Sequence, residues 1–227
     1  MKVKISIPTS LSEIKLSQYQ KFLKIVKEND ESEFINHKMI QIFCDIDLEI
    51  VNAMKQKDVE DAINTIGGLF NQLPSLTTRF EMDGITFGFI PNLDEMSAGE
   101  YMDLDGYIVN WEEMHKAMAV LYRPTKQKLG HKYLIEDYEG TDKYSELMKD
   151  APLNVVLGAM VFFWNLGKEL LKSTIHYLEQ SPQIVSMNKA NLETGGDGIL
   201  ASMDLLKEML GDSMKLLNFP LINVSHS

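Results

Sequence analysis

Apolar residues recur at two spacings along the chain, and each change of spacing marks a change of element. Val3, Ile5 and Ile7 alternate with Lys2, Lys4 and Ser6, which predicts a strand over 2–8 with one buried face, ended by Pro8. Ile14 and Leu16 suggest a second short strand. The period then lengthens. Tyr19, Phe22, Leu23 and Val26 predict a helix over 18–27, with Ser17 as its cap. Phe34, Ile35, Met39, Ile42 and Phe43 predict another over 32–43. Behind Asp58, the residues Val59, Ala62, Ile63, Ile66, Leu69 and Phe70 keep helical spacing until Pro74 ends the unit. Gly67 and Gly68 weaken its last turns by about 1 kcal/mol each relative to alanine. Strict alternation returns at 78–91. Phe80 and Met82 lead into Asp83-Gly84, a favoured two-residue turn, and Ile85, Phe87 and Phe89 lead out, so a hairpin is predicted.

A short helix over 97–104 follows, and then the stretch 111–178, around which the chain is organised. Asn110 and Glu113 signal the start of an amphipathic helix over 111–122 that presents Trp111, Met114, Met118, Leu121 and Tyr122 on one side. Arg123-Pro124 stops it, because proline removes a backbone donor. A basic loop comes next, then a strand over 132–138, and Thr141 caps a helix over 142–149. Pro152 suits the first turn of a long helix that is apolar almost all round from 153 to 164, so Phe163 and Trp164 are expected to be enclosed by protein. Beyond it Leu166, Leu170, Ile175 and Leu178 are expected to face inward, with Lys168, Lys172 and Glu179 in water. Ser181-Pro182 breaks the helix. A polar stretch rich in Asn and Gly, 188–198, leads to a final helix over 199–217 with Ile199, Met203, Leu206, Leu210 and Leu217 at helical spacing. The pattern predicts one mainly helical α+β domain over 1–180. Its small antiparallel sheet would combine the N-terminal strand, the 78–91 hairpin and the 132–138 strand. Residues 181–227 would form a flexible linker and a C-terminal amphipathic helix, an arm.

Composition adds limits. The 227 residues are 44% hydrophobic and 24% charged, enough for a real core, and carry a net charge of −11. A chain so negative repels phosphate backbones, so direct binding to duplex nucleic acid is not expected. Cys44 is the only cysteine, which excludes an intrachain disulfide, and it reads as a small buried hydrophobe. The first residues lack the apolar core of a signal peptide. The longest apolar run, 153–164, falls short of the roughly 20 residues a membrane span needs. Charge is distributed in blocks. Nine acids and no Lys or Arg lie between Glu81 and Glu113, and five basic residues and no acid between Lys116 and Lys132. Side by side, the blocks suit docking to a complementary partner or to another copy head to tail.

No constellation closes into a site of known chemistry. His37, His115, His131, His176 and His226 are scattered, without the spacing of a zinc-binding helix, and no CxxC pair exists. Gly195, Gly196 and Gly198 precede a helix but lack the flanking strand and the Lys-Ser/Thr of a phosphate loop, and read as a linker. Asp103, Asp105, Gly106 and Glu112 match positions 3, 5, 6 and 12 of a calcium loop. Tyr101 stands where the first carboxylate belongs, so the aspartates read as solvated turn residues. No catalytic, cofactor-binding or metal-ligating residue is expected, nor an enzyme. Arg123, held at the proline stop, is expected to meet a carboxylate, with Glu136 or Asp137 as the candidates.

Two runs carry a resemblance. The first is Met118-Ala-Val-Leu-Tyr-Arg-Pro-Thr125 followed by Tyr133-Leu-Ile-Glu-Asp-Tyr-Glu-Gly-Thr141, and the second is Pro152-Leu-Asn-Val-Val-Leu-Gly-Ala-Met-Val-Phe-Phe-Trp164. Lys4-Ile-Ser-Ile-Pro8 and Ile14-Lys-Leu-Ser-Gln-Tyr-Gln20 fit the same picture. Together, over roughly residues 1–180, they resemble small helical proteins of tailed bacteriophages, especially crAss-like phages of Bacteroides hosts. The resemblance implies a virion structural protein, made in the bacterial host cytoplasm, that packs against other phage structural proteins and possibly against copies of itself. The alternative it implies is an assembly factor, such as a tail-assembly chaperone, absent from the mature particle. It assigns no binding residue.

Overall fold

The computed structural model describes residues 5–71, 73–129 and 132–180. The fold is α+β and mainly helical, with eight α-helices and one four-stranded antiparallel sheet among the described residues. Four helices come first: α1 (Leu16–Glu28), α2 (Ser32–Phe43), α3 (Leu48–Asn52) and α4 (Gln56–Leu69). The hairpin strands β1 (Arg79–Met82) and β2 (Ile85–Phe89) follow, then α5 (Ala98–Ile108) and α6 (Met114–Leu121). The strands β3 (Tyr122–Leu129) and β4 (Lys132–Ile135) and the helices α7 (Ser145–Met148) and α8 (Leu153–Gln180) complete the order.

The hairpin forms where alternation predicts it. Met82 pairs with Ile85, and Asp83 and Gly84 both take left-handed backbone, at φ 51° and 74°. That is the twist a two-residue hairpin turn needs. The sheet order is β1-β2-β3-β4. Its third strand corrects the expected basic loop: α6 ends at Leu121 and the chain passes directly into β3. Pro124, Lys126 and Lys128 disguise this strand. Pro124 stands opposite Phe87 and cannot donate, while the Thr125 hydroxyl donates to the Thr86 carbonyl (3.2 Å) across the same pair. A register shift between Thr125 and Gln127 absorbs the irregularity on the β4 side.

Of the expected N-terminal strand over 2–8, the described part does not join this sheet. Residues 5–8 are described and form no strand, and Ile5 and Ile7 are half-buried against the core. Their alternation serves packing without a ladder. The second short strand reduces to a single bridge between Lys15 and Pro152, flanked by bonds from Leu16 N to Ala151 O (2.9 Å) and Leu153 N to Ile14 O (2.8 Å). These bonds tie the start of α1 to the start of α8. They also move the helix start upstream of Ser17, whose N–H is spent on Lys149 O (2.8 Å). Asp58 likewise lies inside the first turn of α4, where its charge suits the helix N-terminus.

The core gathers on α6, where Met114, Ala117, Met118, Val120 and Leu121 are fully buried, with Tyr19, Ile40, Ile66, Phe87 and Met148. The first two turns of α8 close it. Gly158 permits that closure, since a Cβ there would lie 2.4 Å from the backbone oxygen of Ser75. Burial along α8 then ends earlier than the apolar run. Met160 is fully buried, but Phe163 and Trp164 are only half-buried. Leu166 and Leu170, expected to face inward, are 37% and 51% exposed. An all-round apolar helix is enclosed only where other elements stand beside it, and the body stops short of this helix. The side chains of Ile175 and Leu178, and the whole of 181–227 with its predicted arm, lie outside the described residues.

Candidate interaction surface

Arg123 is where the local sequence makes an unusual demand. It sits two residues after the end of α6, in a strand whose neighbouring residue Tyr122 turns into the core and donates its hydroxyl to Thr77 O (2.8 Å). Arg123 points to the opposite face of the strand, where Glu100 and Tyr138 lie against it, and is only 6% exposed. A buried guanidinium must be paired. Its Nη2 lies 2.5 Å from Oε1 of Glu100, itself buried in the first turn of α5. Nε and Nη1 have no protein acceptor among the described residues, so Glu100 is the partner that compensates the charge.

Glu100 is placed by a capping box. Ser97 Oγ accepts from the Glu100 N–H (3.2 Å), and Glu100 Oε2 accepts from the Ser97 N–H (2.6 Å). Burial works to raise the Glu100 carboxyl. The Ser97 bonds and the Arg123 charge outweigh it and hold the group below the usual carboxylate range. The Tyr138 ring stacks over Arg123, centroid to Cζ 5.5 Å, and its hydroxyl donates to Asp103 Oδ2 one turn along α5. Burial, followed by that bond to Asp103, pushes the Tyr138 phenol well above its ordinary value.

This corrects two expectations. Arg123 does not meet Glu136 or Asp137. Glu136 accepts from Lys143 (2.9 Å) and Tyr144 (2.7 Å), and Asp137 accepts from Lys126 (2.8 Å). Glu136 and Asp137 lie beyond β4, while Glu100 of α5 reaches the start of β3. Asp103, Asp105 and Gly106 stand on the helix α5, so the calcium-like loop does not form there. Among the described residues no group of three or more His, Cys, Asp or Glu is placed to hold a metal ion.

The inner side of α5 is thus locked by Glu100, Asp103, Leu104 and Ile108. Its outer side, at 98, 101, 102, 105 and 106, faces water in one stripe. Tyr101 is 63% exposed and Met102 is 72% exposed, the two largest values among large hydrophobics of the described residues. Exposed Asp105 lies one turn on from Tyr101 in the same stripe, and Asp94, Glu95 and Glu112 of the acidic block are also exposed. Sequence reading missed this pair. The signal was there in phase: Tyr101 and Met102 fall out of step with Leu104 and Ile108, the positions that mark the buried face.

The basic block is partly consumed within the chain. Lys116 pairs with Glu113 (2.8 Å), Arg123 with Glu100, and Lys126 with Asp137. The side chains of Lys128 and Lys132 lie outside the described residues. His115 is buried in α6, 3.4 Å by Nδ1 from Gln20 Nε2, and burial with the nearby Lys149 charge lowers its pKa. Buried Cys44 has its thiol pushed up to about 11 by burial, so it stays protonated near neutral pH. Among the described residues no helix is long and apolar enough to cross a membrane. Compared with known protein families, with characterised proteins and with solved structures, the chain matches none.

Proposed function

We propose that the chain is a non-enzymatic structural component of a tailed-bacteriophage virion, made in the cytoplasm of its bacterial host, which works by packing against other virion proteins. The phage setting rests on the resemblance of the runs at 118–125, 133–141 and 152–164. The packing role rests on one observation, the outer face of α5. Tyr101 and Met102 are exposed on a helix whose other side is pinned by a buried ion pair. A rigid element that presents an aromatic and a methionine to solvent is built as a contact surface. Burying them in an interface contributes about 1.5–3 kcal/mol per side chain. Exposed Asp105 on the same stripe and the net charge of −11 favour a partner surface rich in Lys or Arg. Mass spectrometry of purified particles tests the role. Stoichiometric presence supports a virion component. Presence in infected cells with absence from particles transfers the reading to an assembly factor such as a tail-assembly chaperone.

A further inference from the structure

We propose that two copies of this chain join along β1, edge to edge about a two-fold axis, so that their sheets continue as one, with four strands from each copy. β1 comes first in the order β1-β2-β3-β4, so one of its sides has no strand beside it among the described residues. The ladder decides which backbone groups that side offers. Phe89 N donates to Thr78 O (2.9 Å), and in that phase Phe80 and Met82 exchange their bonds with Phe87 and Ile85. Arg79 and Glu81 therefore turn their N–H and C=O groups outward, where no group among the described residues meets them. Such an edge is a template for another strand.

The side chains select which strand. Arg79 and Glu81 share one face, because Phe80 between them turns to the other, against Phe87 (ring centroids 5.6 Å) and Tyr122 (5.2 Å). Glu81 is exposed, and Arg79 is half-buried with its guanidinium 5.5 Å from the Tyr133 ring. Neither has an ion-pair partner among the described residues. Set against a second β1, antiparallel, with Phe80 opposite Phe80, Arg79 of each copy faces Glu81 of the other. Opposite charges then meet at both places. In the same register these are the hydrogen-bonded pairs, so every outward N–H and C=O of Arg79 and Glu81 is used. Half-buried Phe80 meets its counterpart at the closer spacing of the ladder. A shift by two residues, the next that keeps the faces, sets Arg79 against Arg79 or Glu81 against Glu81. Backbone, charge and aromatic complementarity thus coincide in one register with a second copy as partner. The contact is isologous, closes at two copies and does not use the outer stripe of α5. The net charge of −11 on each copy opposes it at a distance, and that repulsion is screened beyond about 8 Å at physiological ionic strength.

Sedimentation equilibrium of the full chain over a concentration series at physiological ionic strength tests this. A monomer–dimer equilibrium is expected. Glu81→Arg sets arginine against Arg79 of the other copy, at an exposed position that leaves the fold intact. Arg79→Glu sets glutamate against Glu81. Each should weaken dimerisation by about tenfold or more, because attraction becomes repulsion at two symmetric places. Mixing the two variants restores opposite charges at both places, and the mixed dimer should form within about threefold of the unmodified strength. Recovery in the mixture also shows that both variants are folded. Four results would overturn the proposal. They are a chain that stays monomeric throughout the series, a Glu81→Arg variant that dimerises as tightly as the unmodified chain, a mixture of folded variants that recovers nothing, and growth past two copies, which would place a different edge against β1.

Discussion

Arg123 and Glu100 show most plainly how a residue-scale decision sets the surface. The guanidinium is carried inside by the passage from α6 into β3, and its charge is compensated by a carboxylate from another element. Such a pair gives little net stability, but breaking it leaves a buried charge alone. Arg123→Met should therefore cost about 3–5 kcal/mol in denaturant unfolding. Joint replacement, Arg123→Met with Glu100→Leu, should cost clearly less. Glu100 also sets an acid dependence. Its folded carboxyl lies below the ordinary value, so its contribution is complete above about pH 4.3 and is lost as pH falls through the folded value. In Glu100→Gln the fall of stability below about pH 4.3 should be shallower than in the unmodified chain. An equally steep acid limb in thermal melts would count against the pair.

Among the elements, α8 separates what apolar pattern dictates from what position dictates. Met160 is fully buried and Trp164, one turn later, is half-buried. Met160→Ala should cost about 2–5 kcal/mol. Trp164→Ala should cost less than Met160→Ala although it removes more atoms. The reverse order in urea midpoints would show that the core extends further along the helix. The same contrast explains what could be read in the chain beforehand. The 32–43 helix and the Asp83-Gly84 hairpin are local, fixed by periodicity and turn chemistry, and both stand as expected. β3 was illegible because Pro124 and its lysines oppose strand propensity, and its two neighbours β2 and β4 override them. The N-terminal alternation was legible as burial but not as pairing. The partner of Arg123 was illegible for the same reason as the exposure of Leu166, since both depend on which elements meet across the fold.

For the whole molecule, the charge blocks acquire a direction. Three of the five basic residues between Lys116 and Lys132 are tied to acids of their own chain, two of them to acids of the 81–113 block. Of the acidic block, Asp94, Glu95, Asp105 and Glu112 are exposed, and Asp105 shares the outer stripe of α5 with Tyr101 and Met102. A chain of net charge −11 that offers such a face favours a basic partner over another copy of itself. Raising salt should weaken the contact, since the acids of this block are exposed and screened. The most direct measurement is quantitative mass spectrometry of purified particles made with the unmodified chain or with Tyr101→Lys, Met102→Lys in its place. Both substituted positions are exposed, so the melting curve should be unchanged. Stoichiometric incorporation of the unmodified chain is expected, with a loss of at least about tenfold for the variant, the factor that 1.4 kcal/mol represents. Equal incorporation of a folded variant would contradict it.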